Sequence, residues 1–121
     1  MKLFLIFILF LSATVPAVAE SPWIQIGKYS ADFTMEGWNL QKKNGQERSF
    51  IIIITFERSF ESPPEVFVNM SGFDAVAGKD GTVRISVTAE KITKTGFILK
   101  ITTWADSGVN GIWGTWIALL R

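Results

Sequence analysis

The chain has 121 residues, with twelve Lys and Arg against eleven Asp and Glu, and neither His nor Cys; that length suits one domain built on one core. A formal charge of +1 argues against a nucleic-acid partner, which requires a basic face. Without His or Cys, the common nucleophile-and-base pairs, the usual zinc sites and disulfide bridges are all excluded.

In chain order, Lys2 gives a positive start, residues 3–11 are an unbroken apolar run, and Ala17, Val18 and Ala19 place small residues where a signal peptidase cuts. Residues 1–19 therefore read as a signal peptide. The apolar run falls short of the roughly 20 residues a helix needs to cross a bilayer, so no membrane span is expected after cleavage. Residues 20–121 then form a single exported domain, extracellular or periplasmic. Its eleven basic and eleven acidic residues balance.

The remainder reads as strands parted by turn residues. Strands are expected over 23–29, 31–35, 49–56 and 65–70, then 82–89, 97–104 and 112–120. Residues 82–89 alternate without a break: Val83, Ile85, Val87 and Ala89 face one way, and Thr82, Arg84, Ser86 and Thr88 the other. In the next strand, Phe97, Leu99 and Ile101 point inward, which turns Lys100, Thr102 and Trp104 outward. The run SFIIIITF at 49–56 is apolar on both faces, the pattern of a central strand covered by a second sheet. Pro63 and Pro64 lack amide donors and mark a strand's beginning. The polar stretch 39–48 reads as a surface loop with Asn44 and Gly45 at its tip. No helical periodicity persists along the chain, and several short strands at regular intervals point to an all-β antiparallel sandwich.

Two chemistries remain open. Paired carboxylates drawn from Asp74, Asp80, Glu90 and Asp106 would be needed for glycoside hydrolysis, but no spacing singles out a pair. Most acids at such positions are solvated turn residues. The alternative is saccharide binding, in which a ring stacks on a sugar's C–H face beside fixed hydrogen-bonding groups. Trp104 at an outer strand end, followed within two residues by Asp106, supplies a ring and an acceptor. Arg84 adds a planar fork able to grip two adjacent oxygens. Against this stand the plainer readings of Trp104 as core or interface and Arg84 as a solvated charge. Trp113 and Trp116 are assigned to packing or to subunit contact. Asn69 fits a glycan-acceptor pattern, a coincidence if it lies in a strand. The turn at 78–81 has too few carboxylates for calcium. Neither a cofactor nor a metal is expected.

From Phe56 to Ala118 the chain resembles the H-type lectin domain of snail agglutinins and of the discoidins' carboxyl-terminal domain. The resemblance rests on Phe56 ahead of Pro63 and Pro64, on PPEVFVNMSGFD ending at Asp74, and on VRISV, ITKTGFILKITTW and TWIA. It implies a six-stranded antiparallel β-sandwich that assembles as a trimer or a hexamer of two trimers. It also implies a multivalent, non-enzymatic, adhesion-type lectin with a site for galactose or N-acetylgalactosamine-type glycans at each protomer boundary. Within it, Arg84 matches the family's arginine and Trp104 its tryptophan. Snail members follow that tryptophan with histidine, where this chain has Ala105. Their early-loop aspartate falls near Gly45, and a later aromatic falls near Asn110; their disulfide is absent. The carbohydrate-site candidates are thus Arg84, Trp104, Asp106, Asn44, Gly45, Gln46 and Asn110. The rival expectation is a structural or protein-interaction module on the same fold that binds no sugar.

Overall fold

A computed structural model describes residues 22–121; the expected signal peptide lies outside the described residues. Six strands follow one another: β1 (Ile24–Asp32), β2 (Arg48–Thr55), β3 (Glu65–Val76), β4 (Ser86–Glu90), β5 (Gly96–Thr103) and β6 (Gly108–Leu119). They form two antiparallel three-stranded sheets, ordered β1-β6-β3 and β2-β5-β4. The all-β, six-stranded sandwich is the expected fold.

The core lies between β5 and β6, the central strands of the two sheets. Phe97, Leu99 and Ile101 of β5 point inward, and so do Ile112, Trp116 and Ala118 of β6. Period-two alternation puts their neighbours on the outer faces. An aromatic cluster closes one end: Phe56 lies 4.9 Å from Phe60 and 5.8 Å from both Phe97 and Trp116, ring centre to ring centre. Offset and edge-on rings at such distances attract one another beyond their burial alone. Trp116 fits only because Gly27 has no side chain; a Cβ there would lie 2.3 Å from the indole.

Several strand expectations need correcting. The segments expected at 23–29 and 31–35 join into one strand, since Ser30 pairs with Trp113 within an unbroken β1–β6 ladder, but that strand ends at Asp32 and residues 33–35 turn away. The run at 49–56 is an edge strand: Phe50, Ile52 and Ile54 pack on the core, while Ile51 and Ile53 are 52% and 77% exposed. The strand expected at 82–89 begins only at Ser86. The turn expected ahead of it at 78–81 is present, with Gly78 N donating to Thr82 O and Gly81 N to Gly78 O. β3 runs on to Val76 through bulges between Met70 and Gly72 and between Asp74 and Ala75. Trp113 and Trp116 separate: Trp116 is core, and Trp113 is 46% exposed on the outer face.

Candidate functional site

Trp104 directly follows β5 and is 39% exposed, the outward position that alternation demands. Its neighbour Ala105 has a φ of 59°, a left-handed conformation that costs a residue with a Cβ roughly 1 kcal/mol. Arg48 braces this corner. It stands opposite Thr103 across the β2–β5 ladder and is 5% exposed. Its Nη1 donates to Ala105 O (3.1 Å) and to Asn44 Oδ1 (2.9 Å), and its Nη2 donates to Ser107 O (2.6 Å). Asn44 Oδ1 also accepts from Gln46 N at 3.0 Å, an Asx turn, and Gly45 takes a φ of 80° at its tip. One buried guanidinium thereby ties the 44–46 loop to the chain just past Trp104. Burial pushes the Arg48 pKa down, because an unpaired charge is poorly solvated there.

Arg84 is held by side chains, not by a strand ladder. Its amide donates to Ser107 Oγ (3.0 Å), and its carbonyl accepts from Thr103 Oγ1 (2.6 Å); both partners are fully buried. Its guanidinium grips Asp80, with Nη2 to Oδ2 at 2.7 Å and Nη1 to Oδ1 at 3.4 Å. The hydrogen bond from Arg84, seconded by that from Thr82 N, holds the Asp80 carboxyl far below the usual carboxylate range. The same pairing raises the Arg84 pKa. Asp106 Oδ2 accepts from Lys79 N at 2.7 Å, so the turn at 78–82 is tied to the Trp104 loop as well. Asn110 is engaged elsewhere, its Oδ1 accepting from Gln41 Nε2 at 3.0 Å.

The cleft that Trp104 lines is about 460 Å³ and runs over the outer face of the second sheet. Trp104 and Glu47 stand at one end; Ser86, Thr88 and Thr102 floor it, and Lys100 pairs with Glu90 at 3.9 Å at the other. The cross-strand register explains the order: Ser86 faces Thr102 and Thr88 faces Lys100. Arg84, Asp106, Asn44, Gly45, Gln46 and Asn110 are not among its lining residues. Of the sequence candidates, then, Trp104 alone lines the cleft. Asn44, Gln46 and Asp106 brace loops beside it, and Arg84 adjoins through its backbone. The hydroxyl ladder and the Lys100–Glu90 pair are encoded in the polar half of each alternating strand, but only the β4–β5 register brings them together. Arg48 carried no such signal, because its importance lies in burial. Among the described residues, no group of three or more Asp and Glu is placed to hold a metal.

A floor of hydroxyls, one indole ring and paired charges can offer directional hydrogen bonds and a stacking surface. Two solved structures of discoidin II from Dictyostelium discoideum are similar to this chain, each 25% identical, with TM-scores of 0.69 and 0.68 over 80% and 79% of it. The matched region makes up only 36% and 35% of those chains, so this chain corresponds to about a third of their length. Comparison with curated proteins finds no match. Residues 51–119, more than half the chain and running from within β2 to the end of β6, match the H-type lectin domain. The chain belongs to the H-type lectin domain family.

Proposed function

We propose that this is a secreted, non-enzymatic lectin that binds a saccharide at the Trp104 cleft, with galactose or N-acetylgalactosamine-type glycans as the ligand class. The observation that carries the reading is the half-exposed Trp104 indole at the end of a hydroxyl-floored cleft. A sugar's C–H face stacks on the ring, while Ser86, Thr88 and Thr102 meet its hydroxyls. Arg84, whose guanidinium grips Asp80, retains N–H groups beyond those two bonds and adjoins the site through its backbone. Asp106, Asn44, Gly45 and Gln46 contribute by shaping the adjoining loops. Asp80 and Asp106 are already hydrogen-bonded, which favours binding over general acid and base chemistry.

A handful of neutral hydrogen bonds, each contributing about 0.5–1.5 kcal/mol net, gives roughly millimolar to micromolar affinity per site. Assembly as a trimer, or as a hexamer of two trimers, offsets that weakness through multivalency. Support for assembly comes from Ile51 and Ile53, exposed on the edge strand β2. Ile51 stands opposite Lys100 in the register, so a neighbour packed on this edge would border the cleft.

A glycan array probed with the purified protein and its Trp104→Ala variant tests the reading. Binding that the variant loses supports it; an array without binders at high protein concentration defeats it and favours the structural-module rival. Mass measurement in solution tests assembly separately, with Ile53→Lys expected to yield monomers.

A further inference from the structure

The opposite face of the sandwich carries a second cleft, of about 530 Å³, lined by Lys28, Ser30, Ser71, Trp113 and Thr115. Its construction follows from the register of the first sheet. Ser30, Trp113 and Gly72 form one row across β1, β6 and β3, and Lys28, Thr115 and Asn69 form the next. All lie in outward-facing positions of strands whose alternate residues fill the core. Gly72 lets the indole settle against the sheet: a Cβ there would fall 2.5 Å from Trp113 Cζ2. The bulge between Met70 and Gly72 inserts Ser71 at the rim.

The polar groups here are unequally occupied. Thr115 is committed, its hydroxyl and amide donating to Asn69 Oδ1 at 2.8 and 3.0 Å. Among the described residues, no hydrogen bond or ion pair engages Lys28 Nζ, the Ser30 and Ser71 hydroxyls or Trp113 Nε1. The Arg84–Asp80, Lys100–Glu90 and Arg121–Glu65 ion pairs all lie elsewhere. Among the described residues no carboxylate lines this cleft, whereas Glu47 and Glu90 line the Trp104 cleft. An unpaired ammonium, an indole donor and two hydroxyls around an exposed ring call for a ligand with negative charge, several acceptor oxygens and a C–H face.

We propose that the Trp113 cleft is a second saccharide site, selective for sugars that bear a carboxylate. The sugar ring stacks on the Trp113 indole, and its carboxylate meets Lys28 in a charge-assisted hydrogen bond, the stronger kind. The site lies on the opposite sheet from Trp104 and does not rest on the reading of that cleft. With both occupied, a single protomer bridges two different glycans without oligomerising.

The test titrates the protein with methyl β-glucuronide and with methyl β-glucoside, a pair differing at the carboxylate. The indole N–H cross-peaks are followed in a heteronuclear correlation spectrum, with the Trp113 peak assigned by its loss in Trp113→Phe. The Trp113 peak is expected to move saturably, at about fivefold to tenfold lower glucuronide than glucoside concentration, the margin of a charge-assisted over a neutral hydrogen bond. Lys28→Gln should remove that difference, and Trp104→Ala should leave it intact. The proposal is overturned by equal responses to the two sugars or by a preference that survives Lys28→Gln. It is equally overturned by a response lost in Trp104→Ala, or by a Trp113 peak that never moves, as it would not if a second copy covered this face.

Discussion

Arg48 donates to the carbonyl of Ala105 at 3.1 Å, so a side chain from the start of β2 holds in place the one left-handed residue beside the Trp104 ring. Because the same guanidinium also binds Asn44 Oδ1 and Ser107 O, the loops on either side of the tryptophan share a single buried anchor. Arg48→Met should strand these acceptors and destabilise the protein by about 2–4 kcal/mol. Chemical denaturation measures that loss, and increased mobility of Trp104 fluorescence should accompany it.

Ala105 itself offers the complementary experiment. Asn tolerates a positive φ better than Ala and, unlike Gly, does not greatly loosen the unfolded chain. Ala105→Asn is expected to stabilise by about 0.5 kcal/mol, and the β-branched Ala105→Val to destabilise by about 1 kcal/mol or more. Thermal unfolding of the two variants side by side checks both signs.

The Arg84–Asp80 pair makes a pH prediction. Asp80 has a folded pKa depressed below its unfolded value, so its contribution is fully present above the ordinary carboxylate range. It is lost only as pH falls through the folded pKa. Between pH 5 and 8 stability should not depend on this group. A side-chain NMR titration should find Asp80 still ionised at about pH 3, where a free Asp is mostly protonated. Arg84→Gln should return its titration towards the usual range.

Trp116 and Trp113 are close in sequence but should differ sharply when truncated. Trp116 packs against Phe56 and Phe97 at 5.8 and 5.5 Å, so Trp116→Ala should cost about 3–5 kcal/mol. Trp113 is half exposed, and Trp113→Ala should cost about 1 kcal/mol or less. Gly27→Ala, which drives a methyl into the Trp116 ring, should resemble the first. Denaturation midpoints at matched slope rank the three.

Much of the fold was legible because burial alternates with the strand period. Phe97, Leu99 and Ile101 declared the inner face of β5, and Trp104 had to point outward as a consequence. The same rule separates Trp113 from Trp116: three residues apart in one strand, they must face opposite ways, so of the pair assigned to packing or subunit contact only Trp116 is core. The isoleucine run at 49–56 was misread because apolarity on both faces fits a covered central strand and an exposed edge strand equally well. Only its neighbours decide between them. Arg84 showed perfect alternation yet lies outside the ladder, since its backbone is satisfied by the side chains of Ser107 and Thr103.

Composition and periodicity alone therefore determined an all-β sandwich without thiol or imidazole chemistry, its inner residues, and an outward Trp104, since these follow from local geometry repeated along the chain. The sheet order, the Arg48 anchor, the turn that pairs Arg84 with Asp80 and the two clefts on opposite faces were decided by tertiary structure. They depend on which distant strands lie side by side: Arg48 and Ser107 stand far apart in sequence, and only the β2–β5 pairing brings a buried guanidinium within reach of the carbonyls that follow Trp104.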